Sequence, residues 1–200
     1  MTEAQPSNPC PVWCKGWYAF ARPCASPNFG PRPRDTEVDL LVLHSISLPP
    51  GQFGGDAVQR LFTNQLDWNA HPYFKQIEGL QVSAHFYIQR GGELWQFVSC
   101  DDRAWHAGRS SHLGRDNCND FSIGIELEGL EGDHFEAAQY ETLCTVLPAI
   151  ASQYPLQHIA GHEHIAAGRK NDPGSGFDWE HMQRCSGFAA RFFPVGIKKI

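Results

Sequence analysis

Residues Val38 to Leu43 form a nearly continuous apolar run, as expected of a central strand covered on both faces. From Ser122 to Glu128 the pattern alternates instead. Ile123, Ile125 and Leu127 point one way and Gly124, Glu126 and Glu128 the other, the two-residue period of a strand. Val82 to Ile88 also alternates, and Gly91-Gly92 then turns the chain into Leu94 to Val98, which reads as a hairpin. Tyr140, Leu143, Cys144, Leu147, Ile150 and Ala151 recur at helical spacing. They predict a helix from about Glu136 to Gln153 with a kink at Pro148. Asp56 can cap a helix with Val58, Leu61 and Phe62 as its apolar stripe, and Asp178 a last helix bearing Trp179, Met182 and Phe188. The expected architecture is α/β: a single-domain mixed β-sheet flanked by helices, with no internal repeat.

A chain of 200 residues is long enough to bury one substantial core. Its net charge of −6 gives no electrostatic reason to expect nucleic acid or an anionic membrane as partner. No apolar run approaches the roughly 20 residues that cross a bilayer. The first residues show neither a basic n-region nor an apolar h-region, so a cytoplasmic location is expected. Pro, Ser and Asn dominate the start, and a flexible tail is expected over 1–15, then one domain over 16–193 and a short tail over 194–200. Seven cysteines, an odd number in a chain without export features, are expected as free reduced thiols.

The densest chemistry lies in AGHEHIAAGRKNDPG, Ala160 to Gly174. His162 offers a neutral imidazole, Asp172 a hard carboxylate and Lys170 a cation beside them. A catalytic zinc takes three protein ligands and keeps one open position. The third ligand must therefore come from elsewhere, and His44, at the end of the Val38–Leu43 run, is the best offer. Read alone, His44 equally fits a histidine satisfied at a strand end. His162-Glu163-His164 is not the HExxH of zincins, because Ala166 stands at the second histidine's place. Glu163 is accordingly expected to be solvated, and His112, His134, His158 and His181 structural or exposed. His85 and His106 flank the expected cleft as candidates for a substrate or supporting contact.

Several long motifs occur in one order: HSISLPPGQFGG from His44, NAHPYF from Asn69, VSAHF from Val82 and DRAWHAG from Asp102. They continue with CNDFSIGIELEG from Cys118, the GH…RKNDPG loop and FDW from Phe177. From about Gly16 to Phe193 the chain resembles the AmpD-type N-acetylmuramoyl-L-alanine amidases. The resemblance implies the amidase type 2 (peptidoglycan recognition protein-like) fold and one zinc ion per chain on His44, His162 and Asp172. It also implies a catalytic Lys170. The substrate it implies is a soluble 1,6-anhydro-N-acetylmuramyl peptide, cut between the lactyl group and L-alanine during cytoplasmic peptidoglycan recycling. Indirect control of β-lactamase induction follows from the same resemblance, and no obligate protein partner does.

Relatives among phage amidases and animal receptors carry a tyrosine where this chain has Ala84, which leaves Glu126 as the family's general base. Read by itself, Glu126 is a surface carboxylate beside Glu128, and Glu128 fits that description better. Trp105 is a platform for the sugar or its acetyl group, or else a core tryptophan. Arg109 and Arg115 are candidates to pair with peptide carboxylates, and Tyr73 and His106 are further candidate substrate contacts. Some relatives have basic side chains where this chain has Gln81 and Asn117. A non-catalytic peptidoglycan-binding receptor on the same fold is the main rival; such receptors typically lose the third ligand, which is present here as Asp172. An envelope amidase is a second rival, and it would need an export signal.

Overall fold

The computed structural model describes residues 12–194. In chain order the strands are β1 (Trp13–Cys14), β2 (Trp17–Tyr18), β3 (Arg22–Pro23), β4 (Phe29–Gly30) and β5 (Leu40–Ile46). Next come β6 (Phe86–Ile88), β7 (Leu94–Gln96), β8 (Arg103–Ala104), β9 (Ser111–His112), β10 (Arg115–Asp116), β11 (Ser122–Glu128) and β12 (His158–Gly161). The α-helices are α1 (Ala57–Phe62), α2 (Pro72–Gln76), α3 (Ala137–Gln153), α4 (His162–Ile165) and α5 (Trp179–Ser186).

Six strands form one mixed sheet in the order β12-β5-β11-β6-β7-β3. β12, β5, β11 and β6 run parallel, and β7 returns antiparallel to β6. The alternation along β5 and β11 sorts the two faces. Leu41, Leu43, Ile123, Ile125 and Leu127 pack with Leu143, Val146, Leu147, Ile150 and Met182 of α3 and α5. Burying each such side chain contributes about 1.5–3 kcal/mol. Leu40 and Val42 face the other way, against Ala107, Cys118, Phe121 and Ile165. That second face carries His44, Gly124 and Glu126, since they share the even register.

Several expectations shift in detail. The central strand extends to Ile46, so His44 lies inside it rather than at its end. The hairpin is shorter than its pattern, because only Phe86–Ile88 and Leu94–Gln96 pair. Asp56 occupies the N-cap of α1 without capping it; its carboxylate pairs with Arg60 at 2.8 Å. α3 continues unbroken through Pro148. Asp178 does cap α5, accepting from the His181 N–H, but the helix ends at Gly187 (φ 75°) and Phe188 lies beyond it. Trp13 and Cys14 pair with Tyr18 and Trp17, so residues 13–15 belong to an ordered hairpin instead of a tail. The remainder of the expected N-terminal tail, 1–11, and residues 195–200 lie outside the described residues. Cys144 and Cys185 are joined as a disulfide between α3 and α5, which overturns the expectation of free thiols for these two. Cys14, Cys24, Cys100 and Cys118 are free, and Cys10 lies outside the described residues.

Candidate metal centre

Open sheets of parallel strands gather their sites at the strands' carboxyl ends. His44 sits near the end of β5, and His162 follows directly on β12, whose Gly161 pairs with Leu43. Asp172 comes from the irregular segment after α4, which is tied back by the Glu163 N–H donating to the Asp172 carbonyl at 2.9 Å. Glycines let this segment pack closely on the 129–133 loop. A Cβ at Gly176 would lie 2.0 Å from the Asp133 carbonyl oxygen, and one at Gly174 (φ 85°) 2.7 Å from the Gly132 nitrogen.

His44 Nδ1, His162 Nδ1 and Asp172 Oδ2 converge as a triangle. The two nitrogens are 3.0 Å apart, and Oδ2 lies 3.2 Å from the first and 3.1 Å from the second. Ligand atoms about 2.0–2.1 Å from a tetrahedral ion are separated by about 3.3 Å. The spacing, the burial of all three residues and the N,N,O donor set therefore fit a divalent metal ion. His162 Nε2 lies 3.0 Å from the Ala107 carbonyl, which can only accept. Nε2 thus carries the ring proton, and the Nδ1 lone pair faces the triangle. Burial holds His44 at a pKa of about 4, so its imidazole is neutral at neutral pH, the form that binds a metal.

A cleft of about 310 Å³ opens over this centre. Leu48, Phe62, Tyr73, Ile77, Val82 and Trp105 make its apolar side, while Glu126, Glu131 and Lys170 contribute charge. Glu126 is paired with His44 across the β5–β11 ladder, and its Oε2 has no hydrogen-bond partner. Burial first, and then the Asp172 carboxylate, push its pKa well above the ordinary carboxylate value, with Lys170 opposing.

The cleft brings together His44, His162, Asp172, Glu126, Lys170, Tyr73, Trp105 and His106. Two expected contacts lie elsewhere. Arg115 bonds Asp39 at 2.5 Å and stacks on the Phe121 ring, outside the cleft. Arg109 borders a separate depression with Asp116, His164 and Arg169. Glu128 is not solvated: it is 4% exposed, and its two oxygens accept the Gly54 and Arg90 N–H groups. Glu163 is half-buried rather than solvated, and burial raises its pKa. His85 is enclosed under the sheet, accepting from the Gly124 N–H at 3.0 Å. His164 turns away from the centre, its Nδ1 accepting from the Gly161 N–H. Sequence reasoning missed Glu131, which lines the cleft and accepts from Asn171. It also missed Ser122 and Gly124, whose signal was a glycine between polar positions on one face of β11.

This fold, with a buried His/His/Asp triangle at the ends of parallel strands beneath a half-apolar cleft, defines a metal-site hydrolase scaffold. Residues 34–175 match the model of the N-acetylmuramoyl-L-alanine amidase family, and the chain belongs to that family. Over 171 residues it is 53% identical to the 1,6-anhydro-N-acetylmuramyl-L-alanine amidase AmpD of Citrobacter freundii, covering 84% of this chain and 91% of the relative. The AmpD of Escherichia coli K12 is 50% identical over 171 residues, covering 84% and 93%. A crystal structure of a selenomethionine AmpD derivative superimposes with a TM-score of 0.84 at 50% identity, covering 86% of this chain and 97% of that one.

Proposed function

We propose that this protein is a zinc-dependent amidase acting on soluble 1,6-anhydro-N-acetylmuramyl peptides. It hydrolyses the amide between the lactyl group and L-alanine, in cytoplasmic peptidoglycan recycling, and so influences β-lactamase induction indirectly. The observation that carries the reading is the His44–His162–Asp172 triangle with the unpartnered Glu126 carboxylate beside it. The activity for which the AmpD relatives are named supplies the substrate class.

His44, His162 and Asp172 would hold one zinc ion. Zinc bound there would supply Lewis acidity toward the scissile carbonyl and lower the pKa of a water toward neutrality. Glu126 removes the proton of the attacking water. As the C–N bond breaks, it returns a proton to the departing alanine nitrogen, leaving a lactyl carboxylate and a free amine. Its raised pKa suits both transfers. Lys170 meets the negative charge that develops on the carbonyl oxygen, a contribution of about 3–4 kcal/mol in comparable sites. Trp105 and Tyr73, on the apolar side, receive the sugar and its acetyl group. No helix among the described residues is long and apolar enough to cross a membrane.

Mass spectrometry decides the matter on purified protein incubated with anhydro-muropeptide and with intact sacculi, with and without chelator. The expected result is release of free peptide from the soluble substrate only, abolished by chelation. Equal turnover of sacculi, or activity untouched by a strong chelator, overturns the reading.

A further inference from the structure

A metal-ligating imidazole can bind only through the nitrogen that lacks a proton. For His162 the Ala107 carbonyl settles that choice. For His44 no carbonyl is within reach of Nε2; its neighbour there is another ring, His106, whose Nδ1 lies 2.9 Å away. Two neutral rings leave the direction of that bond open, and with no metal bound the Asp172 carboxylate, 3.2 Å from Nδ1, draws the proton the other way, so a preference for Nε2–H must be set further back.

It is set two links away. Ser122 Oγ lies 2.6 Å from the Cys118 carbonyl, which accepts only, so the hydroxyl proton points there. Ser122 Oγ is then an acceptor toward His106 Nε2 at 3.1 Å, and Nε2 must carry that ring's proton. His106 Nδ1 is left bare and accepts from His44 Nε2. His44 Nδ1 is thereby the bare nitrogen, facing His162 Nδ1 and Asp172 Oδ2. His106 is completely dependent on Gly124 for its place: a Cβ there would lie 2.5 Å from the His106 Cγ. Asn119 Oδ1 fixes the same dipeptide by accepting from the backbone N–H groups of His106 at 3.0 Å and Ala107 at 2.8 Å. One clamped dipeptide thus reaches both metal histidines, through the ring of the first residue and the carbonyl of the second.

We propose that Ser122 and His106 are positioning residues for the metal centre, dictating the tautomer of His44 and so keeping its Nδ1 free for ligation. The proposal rests on the reading that the triangle holds a metal, but its first test does not. The competing account makes His106 an apolar filler, packed edge-on against His44 with ring centroids 5.0 Å apart.

Long-range proton–nitrogen correlation spectra of metal-free Asp172→Ala, which lacks the carboxylate that competes for a proton on His44 Nδ1, read the ring tautomers directly. His44 protonated on Nε2 is the expected result; protonation on Nδ1 overturns the proposal, whatever happens with metal. With Ser122→Ala added to Asp172→Ala, the same spectra should show His44 as a mixture of tautomers, and an unchanged pure Nε2–H form counts against it. The second arm is zinc affinity, measured by competition with a chromogenic chelator on His106→Leu and His106→Asn. Both variants lose the ring, but only asparagine keeps an acceptor where Nδ1 was. His106→Leu should bind zinc about 10–100-fold more weakly, and His106→Asn should recover most of that loss. Equal weakening in both variants makes His106 a filler and overturns the proposal. If the wild type itself takes up no zinc, the metal reading fails while the tautomer spectra still decide the relay.

Discussion

His44 and Glu126 are register partners on neighbouring parallel strands. Adjacent strands lie about 4.8 Å apart, so the backbone ladder itself sets the spacing between the proposed metal ligand and the carboxylate proposed as base. Neither residue depends on a loop for its position, whereas Asp172 and Lys170 do.

Glu126→Gln should lower turnover by about 10²–10⁴-fold with zinc retained. The same change should stabilise the metal-free protein at neutral and higher pH. Burial raises the folded-state pKa of Glu126, so its favourable contribution is complete below the unfolded value and is lost as pH rises through the folded one. Melting curves of both metal-free proteins against pH check this: the gap should grow as pH rises from the unfolded-state pKa to the folded one, stay constant above it and close in acid. A gap that widens on acidification contradicts the assignment.

Lys170 and Asp172 stand two residues apart, with different tasks proposed for them. Asp172→Ala should lose metal and activity together. Lys170→Ala should keep its zinc and its KM while kcat falls about 10²–10³-fold, as expected for an interaction made only in the transition state. Metal analysis and steady-state kinetics on both variants separate the roles, and a zinc-free Lys170→Ala protein ends the oxyanion assignment.

Glu128 is an anchor for the cleft's edge. Its carboxylate joins the Gly54 and Arg90 N–H groups, bridging the loop after β5 to the β6–β7 turn. Glu128→Ala strands donors at about 1–3 kcal/mol, which for a chain of this size lowers the melting temperature by several degrees. Its loss of turnover should stay well below that of Glu126→Gln; the reverse ranking exchanges the two roles.

His164→Ala should leave metal content at one zinc per chain, because its Nδ1 serves the Gly161 N–H and lies outside the ligand triangle. Elemental analysis of the variant beside His162→Ala provides the comparison, with metal lost only from the latter.

The sheet was legible because apolar runs and alternation report burial directly, and β5 and β11 carry the strongest such patterns. The triangle was legible from residue type and motif order. Glu128 was misread because a carboxylate on a strand looks solvated when its partners, Gly54 and Arg90, are backbone donors far away in sequence. Arg115 was misread for the complementary reason: its partner Asp39 precedes β5, and nothing local to Arg115 announces the pairing. The polar link from Ser122 through His106 involves no unusual residue and no local spacing. It exists only once β11 and the segment before β9 are stacked.

His44 is separated by 118 residues from His162 and by 128 from Asp172. Contacts between such distant parts of the chain are slow to form, because their loop entropy must be overcome first. The three ligand atoms therefore meet only when β12 has docked beside β5, and a partly folded chain presents an ion with scattered side chains at most. A metal ion that the triangle takes up would then act on the finished fold alone, stabilising it by RT ln(1 + [M]/Kd), where [M] is the free ion concentration. The supply of metal ion would in this way set how much of the chain is folded, as well as how fast it works.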